Sequence, residues 1–599
     1  MQGVRPLRVI AAHTHEQVLP TLNEVERAVR SGCAAIGFVS YEAAHAFDRA
    51  LPKAHAPLPL VWFALYDTLT VEYDRPHAVQ CLPSVCSVPA QAWQPSLDRE
   101  AYDCALQRIR DYIEAGDVYQ VNYTFRLRAA YEGDPLALFW QLYRSQSVPY
   151  AAYLDTGAHA ILSLSPELFF ALEGERIVSR PMKGTAPRGL TLQDDQQQAR
   201  RLAHSEKDRA ENLMIVDMVR NDLGRIAHTG TVRVPKLFEL ERYATLWQMT
   251  SSVEACTDAP LPDIFRALFP AASITGAPKI RAAQIIHELE TTPRGVYTGA
   301  VGIVLPNRRA QFNVAIRTLH YDRARGRLEY GVGSGVVWDS ERRAEYEECL
   351  NKAQVILKPR PEFALLETLR WRPRKGYFLL EKHLQRLQRS ADYFGFACDL
   401  AQVRQRLLAF AQEACVGECA YRVRMLLSRE GELHLKAAPL EPERRAWHVA
   451  LATQPIEPTD PFLYHKTTHR QIYEQARASC PGCDEVILWN PRGEITEATI
   501  ANVVVRLKDR LYTPPVDCGL LGGVYREHLL ERGIITERVI TIDELFEAEA
   551  IYLINSVRGW IRAKRIAQPS ESSKQKAGIY RLGENRHVYA AGYKVEPTV

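Results

Sequence analysis

The sequence predicts a mixed α+β / α/β protein built as two large domains, and three observations predict it. The chain has 599 residues, which at roughly 100 to 200 residues per domain allows two large domains or three to four smaller ones. Strand-patterned and amphipathic helical segments succeed one another along the whole length, with neither period dominating. Between them Ile356–Pro361 reads ILKPRP, a Pro-interrupted basic stretch that ends a long helix and looks like a linker. The first domain is therefore placed at 1–357 and the linker at 358–363.

Charge and cysteine usage bound the function. Lys and Arg total 75 against 71 Asp and Glu, so there is no basic field for nucleic acid or a membrane surface. Small molecules or proteins are the expected partners. Twelve cysteines lie scattered without framework spacing in a chain too large to need staples, which points to reduced thiols in a cytoplasmic protein. The single C-x-x-C, Cys480 to Cys483, lacks a second pair or nearby histidines and does not read as a metal site. No leader pattern or run of 18 apolar residues occurs, so a soluble, unprocessed chain is expected.

Taken in order, residues 1–90 read as a helix near His15 to Arg30 and short strands at Ala34–Val39, Leu60–Leu65 and Leu69–Tyr73. An amphipathic helix from Asp98 to Ala115 ends at Gly116, and Val118–Ala129 alternates as a strand with Gln120 and Asn122 on one face. Ile161–Phe170 is an apolar run interrupted by Ser165-Pro166-Glu167. A carboxylate so placed is either a strand-end cap or an acid with a raised pKa. In Ser179–Gly189, SRPMKGTAPRG, Pro181 fixes the entry and Gly184 frees the backbone, so Lys183 sits on a defined turn. It reads as a solvated surface lysine or as a presented reactive amine.

Lys207–Arg225 is a strong helix with Leu213, Val216 and Val219 at helical spacing, accompanied by Glu211, Asp217 and Asp222. A second acidic helix, Ser340–Leu357, repeats Glu341, Glu345, Glu348 and Lys352 along one face. One carboxylate from each would suit Mg²⁺, which takes one or two carboxylates, waters and an anionic substrate. Three features between the helices suit that anion. Ser273–Lys279 (SITGAPK) is a turn entering a helix, Gly331–Gly335 (GVGSG) offers consecutive N–H groups as a nest, and the strand Phe312–Thr318 delivers Arg317. The implied substrate is a dianion.

In order across residues 116–354, YQVNY, SPELF, RPMKGT, AENLMIVDMVRNDLGR, SITGAPKIRA, FNVAIRT, GVGSGVVWDS and YEECLNKA resemble the chorismate-binding enzymes. The lysine in RPMKGT is similar to the aminodeoxychorismate synthase component I branch. Anthranilate synthases carry alanine there, and isochorismate-forming members carry a lysine base where this chain has Gln120. The resemblance implies a large α/β sandwich that aminates chorismate at C4. In it Lys183 is the nucleophile at C2, Glu167 the general acid, and Glu211 and Glu348 the Mg²⁺ ligands. Gln120, Thr275, Arg317, Gly333, Ser334, Gly335 and Lys352 hold the substrate. No G-x-C-x-G elbow is present, so ammonia is expected from a separate glutamine amidotransferase subunit. One departure is Gln248, in Trp247-Gln248-Met249, where many relatives have a histidine.

Beyond the linker, LLETLRW reads as a strand and EKHLQRLQRSADYFGF as an amphipathic helix bearing Arg386. YHKTTHR sets Lys466 in a polar turn before a helix, where a lysine is ordinarily solvated. Asp484–Leu488 and Ile500–Val505 have strand patterns around Glu497, and Leu521–Tyr525 contains a Gly-Gly pair suited to phosphate. These pieces resemble the fold-type IV pyridoxal-phosphate enzymes, which include class IV aminotransferases and aminodeoxychorismate lyase. The resemblance implies a domain at 364–566 in which Lys466 carries pyridoxal 5'-phosphate and Glu497 faces its ring nitrogen. Arg386, Leu521, Val524, Tyr525 and Ser556 complete the cofactor site, Thr368 lies on the substrate side, and a homodimer would form through this domain. The family's usual opening strand and its D-R-x-x-x-x-G-D segment are absent. Residues 567–599 form a tail without a functional reading. The combined expectation is a bifunctional enzyme of p-aminobenzoate synthesis; the alternative joins anthranilate-type amination to a class IV aminotransferase, and Lys183 speaks against it.

Overall fold

The structure, a computed structural model, describes residues 1–70, 88–146, 148–441 and 446–564. The strand expected at Leu69–Tyr73 runs from residue 71 onward outside the described residues, and so does the 567–599 tail. The chain forms two compact units, Met1–Gly189 with Gln193–Glu362, and Leu190–Leu192 with Phe363 onward.

The first unit contains a ten-stranded and a seven-stranded sheet, antiparallel in their pairings. Phe38, Trp62 and Val301 from one sheet pack with Leu154 and Ile161 from the other, which makes the pair a sandwich. Helices cover the outer faces. His15–Arg30 starts at a capping box between Thr14 and Gln17 and buries Val18, Leu22, Val25 and Val29 against the ten-stranded sheet. Glu206–Gly224 also packs there through Ile215, Val216, Val219 and Leu223. Leu213 of the expected stripe is 45% exposed, because the inward face is set by Asn212 and Ile215 on either side of it. Arg99–Glu114, Lys279–Leu289 and Arg342–Leu357 cover the seven-stranded sheet.

Three local expectations change. The apolar run around Glu167 is two strands, His159–Ser165 and Leu168–Glu173, in different sheets, so Pro166 and Glu167 form the crossing. Likewise Phe312–Thr318 is not one strand. Arg309–Val314 belongs to the ten-stranded sheet and Thr318–Asp322 to the seven-stranded sheet, and Arg317 makes the corner at φ +49°. Gly331–Gly335 is no nest: it lies inside the regular strand Arg327–Val336, paired residue for residue with 121–130. The ladder on its other edge stops at Tyr330. Since the Gly333 carbonyl accepts from Lys352, Gly331, Gly333 and Gly335 turn their backbone groups to that open edge.

In the second unit a four-stranded antiparallel sheet carries the helices Leu380–Phe394 and Leu400–Ala414. An eight-stranded mixed sheet carries Gln471–Ala478, Val524–Glu531 and Ile542–Glu547. Glu497 lies on Ile495–Ala498, a short strand in the middle of that sheet. The ten described cysteines are free. Among the described residues no helix is long and apolar enough to cross a membrane.

Candidate active sites

Lys183 is presented by a bulged strand, not a turn. Met182–Pro187 pairs with Leu246–Cys256, and the register slips between Met182 and Thr185, with Gly184 at φ +95°. The two carbonyls freed by the bulge are both caught. Asn212 Nδ2 donates to Lys183 O at 3.1 Å, and Gln248 Nε2 donates to Gly184 O at 2.8 Å. Gln248 thus holds the backbone of the lysine loop. The Lys183 side chain enters a cavity of about 330 Å³, with Nζ 3.8 Å from Glu211 Oε2. Gln120 Nε2 also reaches Glu211 Oε2, at 3.5 Å. A methyl on Gly335 would lie 2.2 Å from Lys183 Nζ and 2.6 Å from Gln120 Nε2, so only glycine leaves the amine its place.

Glu167 lines the same cavity. Its Oε1 accepts from Ser273 Oγ at 2.6 Å and from the Met182 amide at 3.4 Å. Burial pushes its pKa up to about 7, with Ser273, Met182 and Lys183 pulling the other way. A carboxyl group so poised holds a proton near neutrality.

Glu211 and Glu348 reach the cavity from separate helices. Burial raises the Glu211 pKa against the pull of Lys183 and Lys207, and the Glu348 charge raises it further. Burial works the same way on Glu348, but Lys352 Nζ at 2.7 Å outweighs it and holds that pKa below the usual carboxylate range. Among the described residues no three His, Cys, Asp or Glu side chains form a metal cage. Two facing carboxylates that repel one another, beside a roomy polar cavity, do fit Mg²⁺, which binds through one or two carboxylates and keeps waters and substrate oxygens. Lys352 also donates to Gly333 O at 2.9 Å, and burial of its ammonium is more than offset by Glu348, which raises its pKa.

Arg317, Gly333 and Gly335 line the cavity, but the Ser334 and Thr275 side chains do not. Ser334 alternates to the opposite face of its strand, where Oγ lies 3.4 Å from the Tyr102 hydroxyl in the core. Thr275 Oγ1 donates to Ala271 O at 2.9 Å, closing its own turn. The Arg317 guanidinium donates to Gln146 Oε1 at 3.3 Å and lies over the Tyr243 ring. Sequence reasoning did not single out Ser273, Asn212 or Glu345 as site residues. Glu345 lines the cavity and accepts from Ser340 Oγ at 2.7 Å; its place three residues before Glu348 was the available signal.

A second cavity, of about 270 Å³, lies in the second unit, and Lys466, Glu497, Arg386, Leu521, Val524, Tyr525, Ser556 and Thr368 all line it. Lys466 is not a solvated turn residue. Burial, and then the Arg386 charge, lower its pKa to about 8. Its carbonyl accepts from the Leu366 amide at 2.9 Å. Glu497 accepts from the Tyr473 hydroxyl at 2.8 Å and the Leu521 amide at 3.2 Å, and burial brings its pKa up to about 7. Arg386 is clamped on Glu367 by two bonds of 2.8 and 2.7 Å, and His383 Nδ1 holds Glu367 at 2.7 Å. Val524 and Tyr525 open the helix Val524–Glu531, whose first amides have no partner within the helix. Ser556 Oγ donates to Thr368 O at 3.5 Å. An amine of lowered pKa, a buried carboxyl and a helix N-terminus beside an arginine fit pyridoxal 5'-phosphate: Lys466 for its aldehyde carbon, Glu497 for its ring nitrogen, the helix start and Arg386 for its phosphate. Arg422, Arg424, Arg470 and Tyr473 also line this cavity and were not foreseen.

The family model "chorismate binding enzyme" matches residues 3–358, and "Amino-transferase class IV" matches residues 364–566. "Aminodeoxychorismate synthase component 1" of Klebsiella aerogenes is 39% identical over 345 residues, 54% of this chain and 76% of that protein. "Anthranilate synthase component 1" of Thermus thermophilus is also 39% identical, over 269 residues, 44% of this chain and 58% of that protein. Among solved structures, anthranilate synthase component I from Streptococcus pneumoniae superposes with a TM-score of 0.51 at 26% identity, covering 59% of this chain and 91% of that one. The chain belongs to the chorismate binding enzyme family, whose model spans residues 3–358, and its residues 364–566 match the class IV amino-transferase model.

Proposed function

We propose that the chain carries out two consecutive steps of p-aminobenzoate synthesis, amination of chorismate at C4 to 4-amino-4-deoxychorismate and elimination of pyruvate from that product. Lys183 carries this reading. The aminodeoxychorismate synthase relatives of Salmonella typhimurium and Escherichia coli are 43% and 42% identical and the anthranilate synthase relative of Thermus thermophilus 39%, a margin that leans the same way but is too small to carry the choice. An amine in the cavity, 3.8 Å from Glu211 and alongside Glu167, supplies a nucleophile that the anthranilate-type reading has no use for.

In the first cavity Glu167 protonates the departing C4 hydroxyl as Lys183 bonds to C2, and the oxygen leaves as water. Ammonia then bonds to C4 and the Lys183 amine departs. Arg317, Lys352 and the glycine edge of the strand hold the substrate carboxylates. Glu211 and Glu348 would hold Mg²⁺, which supplies a positive charge for the ring carboxylate. The ammonia would come from a separate glutamine-hydrolysing subunit.

In the second cavity the cofactor supplies an electron sink. Lys466 takes the proton from C4 of aminodeoxychorismate, Glu497 keeps a proton at the ring nitrogen, and enolpyruvate leaves as the ring becomes aromatic. Aromatisation favours elimination over transfer of the amine. Incubation with chorismate, an ammonium salt, Mg²⁺ and pyridoxal phosphate should yield p-aminobenzoate and pyruvate one for one without a 2-oxo acid. Anthranilate as product, or a requirement for a 2-oxo acid, would overturn the reading.

A further inference from the structure

One face of the four-stranded sheet concentrates positive charge. Residues directly opposite on antiparallel strands share a face, and here Arg370 stands opposite Arg422, and Arg424 opposite Lys436. Like charges placed directly across a ladder destabilise it. The alternate residues Tyr421, Val423 and Met425 are buried on the other side, so this face is set by the pleat and not by crowding. Arg422 and Arg424 line the second cavity together with Thr368 and Lys466. Arg386 is already engaged by Glu367, and Arg470 by the Thr499 carbonyl. Among the described residues the side chains of Arg422 and Arg424 make no ion pair or hydrogen bond, and Glu497 is the one acidic side chain on the cavity wall.

We propose that Arg422 and Arg424 form a carboxylate clamp that selects, for the second site, a dicarboxylate whose acid groups are borne away from the reacting amine. The proposal rests on the lyase reading and deepens it. Two adjacent guanidinium forks at i and i+2 can each take a carboxylate bidentately, and an α-amino acid with one carboxylate beside its amine leaves one fork unpaired. The clamp therefore discriminates by charge number as well as by shape.

The test uses the full chain loaded with pyridoxal phosphate, titrated with 3-(carboxymethoxy)benzoate and with 3-methoxybenzoate and read by the cofactor's visible absorbance, which reports the second cavity alone. The dicarboxylate should bind tighter by about ten- to a hundredfold, the worth of a hydrogen bond to a charged group. Arg422→Gln/Arg424→Gln should bring the two ligands to parity with the unliganded cofactor band unchanged. Arg422→Lys/Arg424→Lys should keep part of the preference. If the double variant does not hold cofactor, each single glutamine variant should lose part of the preference. Parity in the wild type, or an unchanged preference in the glutamine variants, overturns the clamp. Failure of the lyase reading shows separately, as no pyruvate from aminodeoxychorismate whatever the probes do.

Discussion

Glu167 sets a pH dependence of both activity and stability. Its folded pKa of about 7 lies above its ordinary value of 4.5, so the native state binds this proton more tightly than the unfolded chain. The contribution is fully present below pH 4.5 and is lost as pH rises through about 7, a change of about 3 kcal/mol. Glu167→Gln, which cannot ionise, should therefore melt above the wild type at about pH 8 and close to it at about pH 4.5, while amination falls by about a hundredfold or more. Calorimetric scans at the two pH values check the first part and product assays the second; a variant less stable at both would show that the buried carboxylate is not the strained group. Gly335 gives a second test. Gly335→Ala places a methyl 2.2 Å from Lys183 Nζ in a strand of ordinary backbone geometry, so amination should fall at least about tenfold while pyruvate release from added aminodeoxychorismate is unchanged. That Lys183, Glu167, Glu211, Glu348 and Lys466 gather on cavity walls was legible, because their motifs place them. Ser334 and Thr275 were not, since the direction of a side chain depends on strand register and on a hydrogen bond within the turn.

Elements were legible where one period ran unbroken, and misread where a single residue changes the path. His15–Arg30 has a cap, an inward stripe and a basic end, all written locally. Arg317 at φ +49° is not written locally, because two different sheets compete for the residues on either side of it. The glycine run was ambiguous for a related reason: glycine suits a nest, but it also suits a strand that other groups approach closely, as Tyr297, Thr124 and Lys183 do here. The lysine-bearing bulge depends on Asn212, which donates to Lys183 O and Met249 O and accepts from Ser251 Oγ. Asn212→Leu leaves those buried groups unpaired and should cost about 1–3 kcal/mol in denaturant unfolding. It should also lower amination beyond the stability loss, because the bulge sets the height of Nζ in the cavity. An unchanged amination rate in a destabilised variant would mean that Gly184 and Gln248 hold the bulge by themselves.

Each cavity is lined from its own unit: the groups proposed for amination come from residues 120–352 and those proposed for elimination from 366–558. The two chemistries should therefore be separable by reagent and by mutation. A chelator should stop formation of aminodeoxychorismate through loss of the cation at Glu211 and Glu348 and leave elimination intact. Borohydride should fix pyridoxal phosphate onto Lys466 and do the reverse. Separability leads to a sharper expectation for a mixture of two inactive proteins. Lys183→Ala lacks the nucleophile but keeps the second cavity, whereas Lys466→Ala lacks the cofactor amine but keeps the first. Neither alone should turn chorismate and ammonium into p-aminobenzoate, and the Lys466→Ala protein should accumulate aminodeoxychorismate. Mixed, they should make p-aminobenzoate after a lag that shortens as the Lys183→Ala protein is raised, because the intermediate must build up in solution before the second cavity takes it. The wild type assayed at equal concentrations of both sites sets the reference. If the mixture stays silent while the Lys466→Ala protein demonstrably releases aminodeoxychorismate, then the second cavity does not accept that compound from solution, and its assignment as the lyase site falls.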